Sequence, residues 1–295
     1  MTGNTPLLKL NNGVEMPALG LGVYQSPPEE TAAAVETALR DGYRLIDTAA
    51  AYRNEEQVGE GIKRSGVNRD EIFVTTKLWL SDYGYDSALR AFDTSLAKLG
   101  LDHLDLYLLH QPVPLEPEPW FAAYQAAEKL LADGRVRAIG VSNHTPGLLR
   151  TLIEHTDVVP AVNQVELHPY FIQRELREVH AQLGIATQAW SPIGGITRYW
   201  EHAANGGRSA LEEPVVVALA DKYGKTAAQV VLRWHLEHGT CAIPKSVKAH
   251  RIAENFDVFD FTLTPDEVAA VDVLDTGLRS GPDPEVIRLD TFGTR

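Results

Sequence analysis

Four polar residues stand where short apolar runs give out. Asp47 ends Arg44 to Asp47, Tyr52 follows five residues on, Lys77 closes IFVTTK, and His110 closes LDLYLLH. A lysine and a histidine directly behind apolar runs are costly to bury without partners. Each alone has an ordinary explanation, with Lys77 snorkelling outward, His110 a satisfied core histidine and Tyr52 a loop cap. Together they form a consistent chemical set. A tyrosine donates a proton poorly near neutral pH unless a cation such as a lysine ammonium lowers its pKa, and an aspartate can hold that lysine in place. A histidine beside the tyrosine can orient a carbonyl oxygen. The set suits protonation of an oxygen that gains negative charge, as carbonyl reduction requires.

Such a set needs a scaffold that brings distant strand ends to one rim. Short apolar runs alternate with segments of helical period: Ala18 to Gly22, helix Pro28 to Arg40; Arg44 to Asp47, helix Asn54 to Arg64; Ile72 to Lys77, helix Asp86 to Leu99; Leu104 to His110, helix Trp120 to Ala132. The alternation continues with Val136 to Val141, helix Pro146 to Glu154; Ala161 to Val165, helix Gln173 to Leu183; Ala186 to Trp190; and Cys241 to Ile243, helix Ala249 to Asn255. Unbroken apolar runs fit parallel strands covered on both faces. Thr145-Pro146 and Thr264-Pro265 mark helix starts. Eight β/α repeats predict an α/β fold of the (β/α)8 TIM barrel type, a single domain over residues 1–295, with side chains converging at the strand C-termini.

Three segments fall outside the repeat. Leu7 to Leu10, Asn11-Asn12-Gly13 and Val14 to Met16 predict an N-terminal β-hairpin that plugs one end of the barrel. Between the seventh and eighth strands come a polar loop, Ile196 to Glu212, and two extra helical segments, Pro214 to Tyr223 and Ala227 to His238. Beyond helix Pro265 to Leu274, the tail Asp275 to Arg295 is too irregular for core and is either a frayed end or a C-terminal lid loop.

Composition narrows the function classes. With 27 basic against 40 acidic residues the formal charge is −13, which argues against a nucleic-acid or acidic-membrane partner, so any anionic ligand needs a local basic cluster. The lone Cys241 cannot form an intramolecular disulfide, fits a reducing compartment and is expected as a small buried residue. MTGNTPLLKL lacks the marks of a signal peptide, and no window approaches a membrane span, so a cytoplasmic protein is expected. The histidines show no ligand spacing with cysteine or paired carboxylates, so no metal is expected.

The motifs GYRLIDTAAAYRNEEQVG, TTKLW, LYLLHQP, RAIGVSN, NQVELHP, AWSPIGG and IPKSVKAHRIAEN, in this order and across nearly the whole chain, resemble the aldo-keto reductase family. The resemblance to bacterial, diketogluconate reductase-like members is strongest at VLRWHLEHG, VFDF and SGPDPE, which are scaffold and tail. It implies reduction of aldehydes and ketones with NADPH, with Tyr52 as general acid, Lys77 and Asp47 tuning it and His110 orienting the carbonyl. It further implies that Trp190 stacks on the nicotinamide while Ser142, Asn143 and Gln164 bond its carboxamide. Ser191, Ile193, Gly194 and Gly195 fall in the pyrophosphate loop, Lys245, Ser246, Val247 and Arg251 at the 2′-phosphate, and Glu254 and Asn255 at the adenine. A lysine and an arginine at a helix N-terminus oppose the dipole preference, which fits a phosphate-binding role.

Tyr24, Trp79 and Gln111 match substrate-pocket positions. Gln111 stands where many members carry Trp, predicting a more polar, roomier pocket, and His144 stands where Phe or Tyr is usual. Gly20-Leu21-Gly22 lacks the third glycine of the dinucleotide fingerprint, so no Rossmann domain is implied. The resemblance also implies a monomer acting on a small-molecule carbonyl compound. The competing readings are an NADPH-binding regulatory or sensor module with little catalysis, and an isomerase or aldolase barrel with Lys77 as a Schiff-base nucleophile.

Overall fold

The computed structural model describes residues 5–194 and 209–292. An antiparallel hairpin, β1 (Leu7–Lys9) and β2 (Glu15–Pro17), precedes a parallel sheet. The sheet comprises β3 (Leu21–Gly22), β4 (Leu45–Asp47), β5 (Phe73–Leu78), β6 (Leu104–Leu109), β7 (Val136–Ser142), β8 (Val162–Glu166), β9 (Ala186–Trp190) and β10 (Cys241–Ala242), each paired with the next in chain order. Its two ends meet. Parallel bridges join Leu19 to Ala242 and Gly22 to Lys245, and the amides of Gly20 and Gly22 donate to the carbonyls of Ala242 and Pro244 at 2.9 and 3.1 Å. Gly22 permits this approach, because a Cβ there would lie 2.7 Å from the Ile243 carbonyl oxygen.

Helices α1 (Pro28–Asp41), α2 (Glu55–Ser65), α3 (Tyr85–Leu99), α4 (Pro117–Ala132), α5 (Pro146–Glu154) and α6 (Arg174–Leu183) follow β3 to β8 in turn. Two further helices, α7 (Pro214–Tyr223) and α8 (Ala227–Glu237), separate β9 from β10, and α9 (Ala249–Phe256) and α10 (Pro265–Asp272) follow it. This is the (β/α)8 barrel with a hairpin and two extra helices that the repeat pattern predicted. Thr145 and Thr264 accept from the backbone amides of Leu148 and Glu267, so the threonine-proline starts work as caps. Residues 195–208, which include Gly195 and most of the predicted polar loop, lie outside the described residues.

Two strands are shorter than their apolar runs. In the first, Leu19 pairs only with the β10 side, and the regular ladder to β4 begins at Leu21. In the last, Pro244 has no N–H to continue the ladder, so regular pairing stops at Ala242. The middle strands β5 and β6 are buried along their whole length, as unbroken runs require.

One apolar layer lies between sheet and helices, and a second gathers Leu10 and Met16 of the hairpin with Leu45, Phe73, Leu106, Leu108, Val162 and Cys241. The hairpin therefore plugs the barrel. Asn11 and Asn12 pin it by donating to the carbonyls of Pro160 at 3.1 Å and Arg137 at 2.9 Å, at the starts of β8 and β7. Cys241 is fully buried, and burial pushes its thiol up to about 12, which suits a core residue and not a nucleophile. No helix among the described residues is long and apolar enough to cross a membrane.

Candidate active site

Three neighbouring strands deliver the four polar residues to one rim. Asp47 ends β4, Lys77 lies in β5, and His110 follows β6, its amide donating to the Leu78 carbonyl at 3.1 Å. Lys77 is fully buried. Its ammonium contacts three oxygens: Asp47 Oδ1 at 2.6 Å, the Thr48 carbonyl at 2.9 Å and the Tyr52 hydroxyl at 3.4 Å. An ammonium has three protons, so these contacts fix its direction. Burial pushes Lys77 down and Asp47 up, and in each case the partner's charge and hydrogen bond act against that shift.

Tyr52 ends a single 3-10 turn, Ala50–Tyr52, that Arg53 terminates in the left-handed region at φ 56°. The ring stands edge-on to Tyr24 and His110, with centroids 5.1 and 5.6 Å away, and His110 in turn meets the edge of Trp79 at 5.0 Å. Tyr24, Tyr52, His110 and Trp79 thus form one run of edge-on rings, with the Lys77 ammonium 3.4 Å from the Tyr52 hydroxyl. Gln111 is half-buried, and its backbone carbonyl accepts from the Tyr83 hydroxyl at 2.5 Å.

Behind this set lies a polar layer that the sequence reading missed. The second oxygen of Asp47 accepts from Gln164 Nε2 at 2.7 Å, and the same amide donates to Gln188 Oε1 at 2.7 Å. The Thr48 hydroxyl donates to Asn54 Oδ1 at 3.0 Å, and Asn54 Nδ2 to the Val23 carbonyl at 2.9 Å, which ties the Tyr52 turn to the first strand. One signal was present: Gln188 is a polar residue two positions before Trp190, on the same strand face.

The residues expected at the nicotinamide come together on the next strands. Ser142 ends β7 opposite Gln164 and donates to its carbonyl at 2.6 Å. Asn143 adopts a left-handed conformation at φ 63°, which turns its side chain between two neighbours. Its Nδ2 donates to the His110 carbonyl at 3.1 Å, and its Oδ1 accepts from Trp190 Nε1 at 2.8 Å. His144 is buried and held to the Ser142 carbonyl at 2.9 Å, with Trp120 against it at 5.2 Å. Ser191 and Gly194 have positive φ and close a turn through Gly194 N to Ser191 O at 2.9 Å, with Ile193 packed on the core.

The basic cluster stands on the same rim. Lys245 bridges to Gly22, which pairs with Asp47. Lys245 and Arg251 are exposed and form no ion pair among the described residues. Ser246 is buried and accepts from the Lys248 amide at 3.1 Å, with Val247 half-buried beside it. Glu254 is engaged by the Thr226 hydroxyl at 3.0 Å, and Asn255 is buried in α9.

The tail, expected as a frayed end or a lid, is fastened across this rim. The amides of Ser280 and Gly281 donate to the two carboxylate oxygens of buried Glu166 at 2.7 and 2.8 Å, and His168 lies 3.0 Å from the first. A Cβ on Gly281 would sit 2.7 Å from Trp190 Cη2, so tail backbone lies directly against that indole. Further on, Phe292 packs on Trp79 with centroids 5.4 Å apart. Glu166, the anchor, carried no signal in the sequence beyond being a carboxylate at a strand end.

Comparison with known proteins agrees with this architecture. The family model described as "Aldo/keto reductase family" matches residues 17–276. Morphine 6-dehydrogenase of Pseudomonas putida is 56% identical over 296 residues, covering 99% of each chain, and methylglyoxal reductase of Escherichia coli K12 is 47% identical over 96% of this chain and 98% of that one. The crystal structure of a Bombyx mori aldo-keto reductase in complex with NADP superposes with a TM-score of 0.86 at 37% identity, covering 94% of this chain and 95% of that one. With the barrel, the rim and these similarities in agreement, the chain belongs to the aldo/keto reductase family.

Proposed function

We propose that this protein is an NADPH-dependent reductase of aldehydes and ketones, with Tyr52 as the general acid. The observation that carries the proposal is the Lys77 ammonium, 3.4 Å from the Tyr52 hydroxyl and held by Asp47 at 2.6 Å. When bound, the reduced nicotinamide supplies hydride to the carbonyl carbon. As charge gathers on the carbonyl oxygen, Tyr52 gives up its proton to it, and the adjacent ammonium stabilises the phenolate left behind. His110, edge-on to the Tyr52 ring, orients the oxygen toward the hydroxyl. Running backwards, the same residues accept the alcohol proton, in keeping with relatives named both as a dehydrogenase and as a reductase.

The chain's own residues fit the cofactor. Lys245 and Arg251 present exposed cations, without acidic partners among the described residues, to a phosphate, in a chain of net charge −13. Ser142, Asn143 and Gln164 would hold the carboxamide, Trp190 the ring face, Ser191, Ile193 and Gly194 the pyrophosphate, and Glu254 and Asn255 the adenine. The proposed unit is a cytoplasmic monomer of one domain acting on a small-molecule carbonyl compound.

The saturated, fully buried Lys77 counts against a Schiff-base role, since its amine is directed at three oxygens. The test is NADPH consumption, followed by absorbance, with a panel of aldehydes, α-keto compounds and keto-sugars. At least one should be turned over, and Tyr52→Phe should lose about 100-fold or more of that rate while still binding NADPH. A Tyr52→Phe enzyme within a few-fold of wild type removes Tyr52 as the acid, and NADPH binding without turnover of any member favours the sensor reading.

A further inference from the structure

All three oxygens around the Lys77 ammonium come from one stretch of chain. Asp47 Oδ1, the Thr48 carbonyl and the Tyr52 hydroxyl all fall between positions 47 and 52, so the shape of this stretch decides whether the ammonium stays beside the hydroxyl. Its backbone fixes little by itself. Ala50–Tyr52 is a single 3-10 turn, whose hydrogen-bond geometry is poorer than an α-helix's, and its backbone bonds run from Tyr52 N to the Ala49 carbonyl at 3.0 Å and from Arg53 N to the Ala50 carbonyl at 3.2 Å. A further tie has to close it.

Asn54 supplies that tie. It occupies the N-cap of α2, where asparagine is among the best acceptors for the helix's first free amides, yet its side chain makes no capping bond. The side chain is turned back across the loop instead, and the residue is fully buried. Oδ1 accepts from the Thr48 hydroxyl at 3.0 Å, and Nδ2 donates to the Val23 carbonyl at 2.9 Å and to the Ser26 carbonyl at 3.4 Å. The next residue, Glu55, accepts from the hydroxyl of Thr76, the neighbour of Lys77 in β5, at 2.7 Å. The two ends of the Tyr52 segment are thereby joined to each other, to the end of β3 and to β5.

We infer that Asn54, acting through the Thr48 hydroxyl, is a positioning residue for the proposed general acid: it closes the segment 48–54 so that the Thr48 carbonyl and the Tyr52 hydroxyl meet the Lys77 ammonium together. The inference rests on the reading of Tyr52 as that acid. The side chains of Asn54 and Thr48 bond each other and backbone carbonyls, so they act through the geometry of the loop. Among the described residues the titratable groups facing Tyr52 are Lys77 of β5, His110 after β6 and Tyr24 after β3. Of these, Lys77 is gripped by the segment itself, through Asp47 and Thr48, so a change in the segment reaches the Tyr52 hydroxyl through the ammonium.

A pH titration of the full chain, followed by the carbon-13 shift of Tyr52 Cζ and assigned by its loss in Tyr52→Phe, tests this without cofactor or substrate. An ammonium held at 3.4 Å favours the phenolate, so Tyr52 should ionise below the ordinary tyrosine value of about 10. Thr48→Val, which replaces only the hydroxyl bonded to Asn54 by a methyl group, and Asn54→Ala should each move that ionisation up by about one pH unit or more. Thr48→Ser keeps the hydroxyl and should stay closer to wild type. Thermal melting checks folding, and Thr48→Val, the smaller change, carries the test where Asn54→Ala does not fold. A folded Thr48→Val with the wild-type Tyr52 ionisation would overturn the assignment, since a purely structural bond lowers the melting temperature and leaves the phenol unmoved. Failure of the reductase reading would show differently, as a wild-type chain that turns over no carbonyl compound while its Tyr52 ionisation still responds to Thr48→Val.

Discussion

Gln164 Nε2 donates to Asp47 Oδ2 at 2.7 Å across 117 positions of sequence. Asp47 therefore serves two groups at once, with one oxygen on Lys77 and the other on an amide from β8. Gln164 also receives the Ser142 hydroxyl on its backbone carbonyl. The residues proposed for proton transfer and those proposed for the nicotinamide thus share a single carboxylate, and neither set can shift without disturbing the other.

Asp47→Ala would leave the Lys77 ammonium buried with one acceptor removed and no opposing charge. Breaking a buried pair in this way costs about 3–5 kcal/mol. Asp47→Asn keeps an acceptor for Lys77 and should lose less stability, yet it removes the opposing charge and lets Lys77 fall further toward the neutral amine. Urea unfolding of both variants, read beside turnover, checks this. A loss below about 1 kcal/mol in Asp47→Ala would show that Lys77 does not depend on Asp47.

Asp47, Lys77 and His110 were legible because each closes an apolar run, where an isolated polar group demands a partner, and Tyr52 because it follows Asp47 by five residues in the loop that leaves the same strand. Gln188 and Glu166 were not. Gln188 takes its role from Gln164, and Glu166 from the backbone amides of Ser280 and Gly281, more than a hundred positions away. Nothing local in ATQAW or NQVELHP states those pairings. The barrel was legible from its run-and-helix alternation. The early end of β10 needed one further rule, that Pro244 cannot donate to the ladder.

Acid should loosen the fold through buried histidines. Burial pushes His144 and His180 down to about 4 and His235 to about 3, from an ordinary value of 6.5. A hydrogen bond to the Ser142 carbonyl opposes the shift at His144, and one to the Pro192 carbonyl opposes it at His235. Below pH 6.5 the unfolded chain takes up protons that the folded chain refuses. Their contribution is therefore complete above pH 6.5 and is lost as pH falls toward 4, at about 1.4 kcal/mol per histidine per pH unit. His144→Phe should remove one of these contributions and flatten the slope of stability between pH 6 and 4.5. Parallel slopes for variant and wild type in urea melts would exclude His144.

Arg251→Ala removes an exposed cation from the first turn of α9. A hydrogen bond to a charged group contributes about 1.5–3 kcal/mol, so NADPH should bind roughly 10- to 150-fold more weakly. NADH, which lacks the 2′-phosphate, should change little. Fluorescence titration with both nucleotides distinguishes the cases, and equal losses would refute the assignment of Arg251 to that phosphate.

The tail offers the sharpest test of what covers the rim. Gly281 leaves no space for a methyl group, because a Cβ would meet Trp190 Cη2 at 2.7 Å and Glu166 Oε2 at 3.1 Å. Either the indole or the tail must give way. Trp190 is held by its bond to Asn143, and Glu166 is buried, so the tail is the part that moves. Gly281→Ala should therefore raise amide hydrogen exchange across residues 276–292 and speed their proteolysis, with barrel strands unchanged. Glu166→Gln keeps one acceptor oxygen and turns the other into an NH2 donor facing a backbone N–H, so one of the two amide bonds is lost and the tail should loosen in the same direction. Wild-type exchange throughout residues 276–292 in Gly281→Ala would show that the tail is not fastened through this contact.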